Sequence, residues 1–258
     1  GAIAPGYQAD IVVLDDLCSM NVSEVFFKGK KAGGNELDKR RECPSGLKHT
    51  IHLENFSKEC LKLPLQGKRA HVIQMEEGQI TTKDLVCQVP GEKEFEADQE
   101  FNKIAVIERH KGTGRTGVGI LSGFGLRGGA IASSVSHDSH NIIVVGDNDA
   151  DMELAVNELV RTQGGYTIVE NGAGSMTLAL PIMGLMSDAG YENVNATLKK
   201  MLAKAHQMGV PKGMEPFITL SFMALPVIPQ LRITPRGLFS VSEFCLLDTV
   251  RNGEDNGN

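Results

Sequence analysis

No apolar run approaches the roughly 18 residues that a membrane-crossing helix needs, and no signal peptide opens the chain. A membrane partner is therefore not expected. Cysteine is sparse and odd in number. Cys18, Cys43, Cys60, Cys87 and Cys245 lie far apart, with no Cys-x-x-Cys and no Cys/His zinc spacing. That pattern excludes a disulfide framework and fits reduced thiols in a cytoplasm. Basic residues are also in deficit: 26 Lys and Arg against 32 Asp and Glu give a net charge of −6. A general nucleic-acid binder needs a basic surface to displace counterions, so no nucleic-acid partner is expected. The dense basic stretches, Lys28-Gly29-Lys30-Lys31 and Lys39-Arg40-Arg41, sit in polar sequence and read as solvated faces. The chain opens Gly1-Ala2-Ile3-Ala4-Pro5-Gly6 without a methionine and reads like the middle of something longer.

What is present is enough for a folded core: 258 residues, 41% apolar and 22% charged. Residues 1–32 hold two β-type runs, Ala9–Leu14 and Ser23–Lys28, bounded by Gly, Pro and Asp. Two strands alone do not make a stable unit and call for partners elsewhere. Residues 33–66 are polar and irregular and read as a linker. From 67 to 250 the texture becomes strand after strand: Arg69–Met75, Ile80–Val89, Lys103–Glu108, Gly117–Leu121, Ala130–Val135, Asn141–Val145, Tyr166–Glu170 and Met176–Leu180. Two segments carry a helical period. Asp149–Gln163 has Asn148 as N-cap, acids in its first turn and Gly164-Gly165 as a stop. Glu192–Met208 puts Val194, Leu198, Met201, Leu202 and Ala205 on one face. Pro216–Pro229 is apolar and ambiguous between helix and strand, and 251–258 reads as a disordered tail. Strands outnumber helices without strict alternation, so the expected class is α+β, a mixed or antiparallel β-rich domain with two main helices.

Gly112-Thr113-Gly114-Arg115-Thr116-Gly117 matches a dinucleotide fingerprint, but the residues after it are glycine-rich and β-like. Without a helix N-terminus to receive a pyrophosphate, the motif reduces to a glycine-rich turn. Asp147, Asp149 and Asp151 with Glu158 imitate a calcium loop, yet the sixth position is Met152 and the acids read as a helix start. His49-x-x-His52 lacks further ligands nearby. The stretch Ser133–Asn141 is different: every residue except Val135 carries a hydrogen-bonding side chain, and the cluster sits between two apolar strands. Such a cluster costs desolvation unless something satisfies it. It is either a self-bonded turn or a site, since two histidines beside an aspartate can carry protons, bind a base edge or hold a metal. Glu108-Arg109-His110, at a strand end before the glycine turn, is the second candidate.

Ala4-Pro5-Gly6-Tyr7-Gln8-Ala9-Asp10 followed by Ile11–Leu14 resembles the turn and strand by which amidohydrolase-superfamily chains leave the barrel for a small β-sandwich, and Val25–Lys30 resembles its last strand. Ile104–His110, Gly123–Leu126, Gly129–Gly146, Ala155–Leu159, Leu180–Ser187 and Leu225–Pro229 resemble, in order, the C-terminal domain of the adenine deaminase family. The resemblance runs from residue 1 to about 250. It implies β-sandwich remnants at 1–32 and an α+β C-terminal domain at 67–250. It also implies hydrolysis of adenine to hypoxanthine and ammonia in purine salvage by metal-activated water. The manganese or iron would sit in a barrel that carries a His-x-His motif. No His-x-His occurs here, so the family's metal ligands match no position and no metal is expected on this chain alone. The expected partners are adenine, the missing barrel and a second copy in a homo-oligomer. The candidate catalytic residues are His137, Asp138 and His140, as supporting or substrate-contacting groups. Glu108, Arg109, His110, Ser136 and Asn141 are candidate substrate-binding residues. The alternative is a structural or oligomerisation module, with Phe217–Ile228 and Pro181–Met186 facing a partner.

Overall fold

The computed structural model describes residues 1–33, 42–54, 56–65, 69–76 and 78–250. The basic stretch Lys39–Arg41, part of the first half of the expected linker and the tail Arg251–Asn258 lie outside the described residues. Contacts divide the chain into two units, Gly1–Cys43 and Pro44–Asn258. In the first, β1 (Ile11–Leu14), β2 (Val22–Phe27) and β3 (Lys30–Lys31) form an antiparallel sheet in that order. Ile11 stands opposite Phe26 and Val12 opposite Val25.

The second unit is built on eight strands: β4 (Arg69–Met75), β5 (Thr82–Gln88), β6 (Phe101–Ile107), β7 (Thr116–Ser122), β8 (Gly129–Ser133), β9 (Ile142–Gly146), β10 (Gly165–Glu170) and β11 (Ser175–Ala179). Their order across the sheet is β11-β10-β8-β9-β6-β7-β4-β5. Every neighbouring pair is antiparallel except β4 with β7. The middle strands read as unbroken apolar runs because both of their faces are covered, and all seven residues of β6 are buried. Alternation sorts them between two cores. Ile104, Val106, Ile131, Ile143 and Val145 point to one, with Met201 and Ala205 of α2 (Tyr191–Gln207) and Phe217 and Leu220 of α3 (Pro216–Phe222). Ala105, Ile107, Ala130, Ala132, Ile142 and Val144 point to the other, under Met152, Ala155, Val156 and Leu159 of α1 (Asp149–Thr162).

Helix α1 starts and stops where its sequence says it should. The Asn148 side chain accepts from the Asp151 N–H at 2.8 Å, and Gln163 takes the left-handed conformation before Gly164. Each Asp of the calcium-like run serves this region: the Asp147 carboxylate accepts from the N–H groups of Gly128 and Gly129, and Asp149 pairs with Lys103 at 2.7 Å. The Gly112–Gly117 turn leads into strand β7, not into a helix.

Three features differ from the sequence expectation. Residues 44–65, read as the end of a linker, are irregular but packed: Ile51, Leu53, Phe56 and Leu61 join the core beneath α1. Their apolar side chains are interleaved with charged ones, which hid the burial. Pro216–Phe222 resolves as a third, short helix whose Glu215 carboxylate caps the Ile218 N–H. It commits Phe217, Leu220, Met223 and Ala224, four residues of the candidate partner face Phe217–Ile228, to the core, while Ile218 and Val227 stay exposed. Finally β12 (Leu231–Thr234), β13 (Gly237–Ser240) and β14 (Cys245–Leu247) form a small antiparallel sheet, with Thr234 opposite Gly237 across a turn containing Pro235 and Arg236. Among the described residues, no helix is long and apolar enough to cross a membrane.

Candidate functional site

The two candidate stretches, remote in sequence, meet in space because of strand register. Strand β6 pairs antiparallel with β9, and Ile107 stands opposite Ile142. Glu108–His110, just past the end of β6, therefore lie beside Asn141, just before β9. The Asn141 Oδ1 accepts from the Arg109 N–H at 3.4 Å, and its amide donates to the Ser139 hydroxyl at 3.1 Å.

The connection from β8 to β9 rises from a buried root to an exposed crest. Ser134 is fully buried; its hydroxyl donates to the Gly184 carbonyl at 2.6 Å and accepts from the Gly165 N–H at 2.8 Å. Ser136 is also fully buried, yet its hydroxyl finds no hydrogen-bond partner among the described residues. The His137 N–H donates to the Ser221 carbonyl at the end of α3, and its ring stacks on Phe222 with centroids 5.1 Å apart. The Asp138 side chain, 87% exposed, forms the crest, with a carboxylate oxygen 3.8 Å from His137 Nδ1. His140 takes the left-handed backbone conformation at φ +50°, and its N–H donates to the Ser136 carbonyl at 2.6 Å. Its Nδ1 is buried and unpartnered among the described residues. Burial, then the neighbouring His137 and Arg109, lower its pKa, against the pull of Asp138. A neutral imidazole with a buried, unused nitrogen results.

Glu108, Arg109 and His110 have three separate roles. The carboxylate of Glu108 accepts from the N–H groups of His110, Lys111 and Thr113 and from the Thr113 hydroxyl. Burial would raise its pKa, but these bonds outweigh that effect and hold it at about 2. It fastens the turn that precedes β7. His110 points its Nε2 at the Ser139 carbonyl at 2.7 Å, which requires that nitrogen to carry the hydrogen. Arg109, expected as a substrate contact, is only 1% exposed and donates to protein carbonyls instead.

A cavity of about 430 Å³ opens against Asp138, Ser139 and Asn141 on one side and Leu225, Pro226 and Pro235 on the other. A second, of about 480 Å³, shares Pro226, Val227, Thr234 and Pro235 with it and reaches Glu108. Of the four residues that wall both, Pro226 and Val227 fall in the stretch read as a candidate partner face, and Thr234 and Pro235 were not among the sequence candidates. Among the described residues no three His, Cys, Asp or Glu side chains stand close enough to hold a metal ion. The described donors therefore do not fit a manganese or iron centre.

The fold and this loop define an α+β domain that displays a histidine-bearing polar turn at the end of a doubly covered sheet. Residues 79–245 match the family model described as adenine deaminase C-terminal domain. An adenine deaminase of Desulfitobacterium hafniense (strain Y51) is 50% identical over 244 residues, covering 94% of this chain and 43% of that protein. Those of Nitratidesulfovibrio vulgaris (strain Hildenborough) and Bacillus subtilis (strain 168) are 44% and 41% identical, each covering 95% of this chain and 44% of the relative. The chain belongs to the adenine deaminase C-terminal domain family. It spans less than half the length of the curated relatives it matches.

Proposed function

We propose that this chain is the C-terminal portion of an adenine deaminase that hydrolyses adenine to hypoxanthine and ammonia, in purine salvage and in the cytoplasm. Manganese or iron would be held by sequence outside these 258 residues. Family membership carries this reading; the placement of the polar loop supports it. His137, backed by Phe222, offers a flat ring edge, and Asp138 offers an exposed carboxylate. These are the two groups on the crest that can move a proton to a ring nitrogen or to the leaving amine. Asn141, lining the cavity, can read a purine edge, while the buried Ser136 and His140 support the crest from below. The alternative, a homo-oligomerisation module without catalytic contacts, is favoured by one observation: Met183 and Met186 remain exposed at 41% and 52%.

The test is adenine turnover, followed as ammonia release. The complete polypeptide is expected to turn over adenine, and this chain alone is not. His137→Ala and His140→Ala in the complete polypeptide are expected to lower kcat/KM about 100-fold with unchanged thermal unfolding. Turnover by the pure 258-residue chain, or full kcat/KM in both variants, would overturn the reading. A complete enzyme that stays monomeric on size exclusion removes the alternative.

A further inference from the structure

Arg109 is among the largest fully buried side chains, and it forms no ion pair among the described residues. A buried cation without a carboxylate is costly, and burial lowers its pKa to about 10 in spite of nearby Glu108. What compensates is a fan of oxygens from three distant places. Nε donates to the His140 carbonyl; one terminal nitrogen donates to the carbonyl and hydroxyl of Thr50 at 3.2 and 3.3 Å; the other donates to the Met183 carbonyl at 3.0 Å. The Arg109 carbonyl, in turn, accepts from the His52 N–H at 2.7 Å. Gly184, at φ +72°, lies so close that a Cβ there would stand 3.0 Å from both terminal nitrogens. Only a planar fork with donors on three nitrogens spans such a set; an ammonium does not.

We propose that Arg109 is a positioning residue of the candidate site: it clamps His140 in its left-handed backbone conformation and ties the His137–Asn141 turn to the segments around Thr50 and Met183. The assignment rests on the catalytic reading of that turn but is testable apart from it. The charged and titratable groups acting on the His140 ring are His137, Arg109, Asp138 and His110. Loss of the Arg109 cation therefore raises the pH at which His140 titrates.

The experiment compares wild type, Arg109→Lys and Arg109→Met in the 258-residue chain, with ¹³C-labelled histidine rings and ¹⁵N amides followed by NMR. The expected result for Arg109→Met is an upward shift of the His140 titration, with displaced amide signals at Thr50, His140 and Met183. Arg109→Lys keeps the charge, so it is expected to leave the titration near wild type while the amide signals still move. Should Arg109→Met fail to fold, the Lys variant carries the comparison through those amides. In the complete enzyme both variants are expected to lose about 10- to 100-fold in kcat with a smaller change in KM. Unmoved amide signals in Arg109→Lys overturn the clamp. So does full kcat in Arg109→Lys when His140→Ala lowers it. Unchanged turnover in His140→Ala itself removes the catalytic reading instead and leaves the NMR comparison to judge Arg109.

Discussion

Among the described residues two arginines are buried, and they differ in what they hold. Arg109 gathers three segments beneath a turn that carries histidines. Arg232, on β12, is equally buried and also lacks a carboxylate partner among the described residues; its pKa too falls to about 10 through burial. Its donors reach the Thr82 hydroxyl at 2.7 Å and the carbonyls of Ile80 and Leu231 at 2.6 and 2.8 Å. That set joins the small sheet to the start of β5, and nothing titratable stands among it. Its Nε, by contrast with that of Arg109, finds no partner among the described residues. A desolvated guanidinium held by neutral oxygens thus serves a structural joint in one place and a candidate site in the other. Burial of a charge, by itself, does not mark function; what the charge holds in place does.

The sharpest way to break this contrast is to remove each cation. Arg232→Met is expected to cost about 3–4 kcal/mol and Arg109→Met about 2–3 kcal/mol, measured by urea unfolding. The order follows from the Arg232 bonds to Thr82 and Leu231, which are wholly buried. A reversed order would show that the turn depends on its cation more than the joint does. Smaller, and specific to Arg109, is Gly184→Ala. Its left-handed backbone and a Cβ 3.0 Å from the guanidinium should cost about 2 kcal/mol. Gly114→Ala, at φ +66° with nothing within 4 Å, should cost about 1 kcal/mol. Equal losses would mean that Arg109 yields freely to its neighbour.

A test in pH instead of shape concerns Glu108, whose carboxylate acts on Arg109. Its pKa falls from 4.5 to about 2 in the folded protein, so its stabilisation is complete above 4.5 and is lost as the pH drops towards 2. Glu108→Gln should therefore lower the urea midpoint at about pH 7 and converge on wild type near pH 2. A constant gap at every pH would assign the loss to shape instead of charge.

Much of the sheet was legible in sequence because β-branched runs bounded by glycine behave locally. The strands from Arg69 to Ala179 and helices α1 and α2 fall within about two residues of where composition places them. The three strands after Pro229 were missed: they are short, and they come after an apolar stretch interrupted by Pro226 and Pro229. The Thr234-Pro235-Arg236-Gly237 turn was the available signal. Both halves of the candidate site were legible as polar clusters at strand ends. Their adjacency was not, because it depends on Ile107 meeting Ile142 across the sheet. Nor was the true setting of Arg109, whose partners Thr50 and Met183 stand far from it in sequence.

Strands β6, β8 and β9 are all interior, each hydrogen-bonded on both sides. A turn rooted in such strands is expected to exchange its base amides slowly, since freeing that base means dismantling the middle of the domain. At the exposed top the Asp138 side chain is 87% exposed, whereas the Ser139 carbonyl and hydroxyl are held by His110 and Asn141. The Asp138 carboxylate therefore stands on a base whose backbone belongs to the most firmly paired part of the sheet.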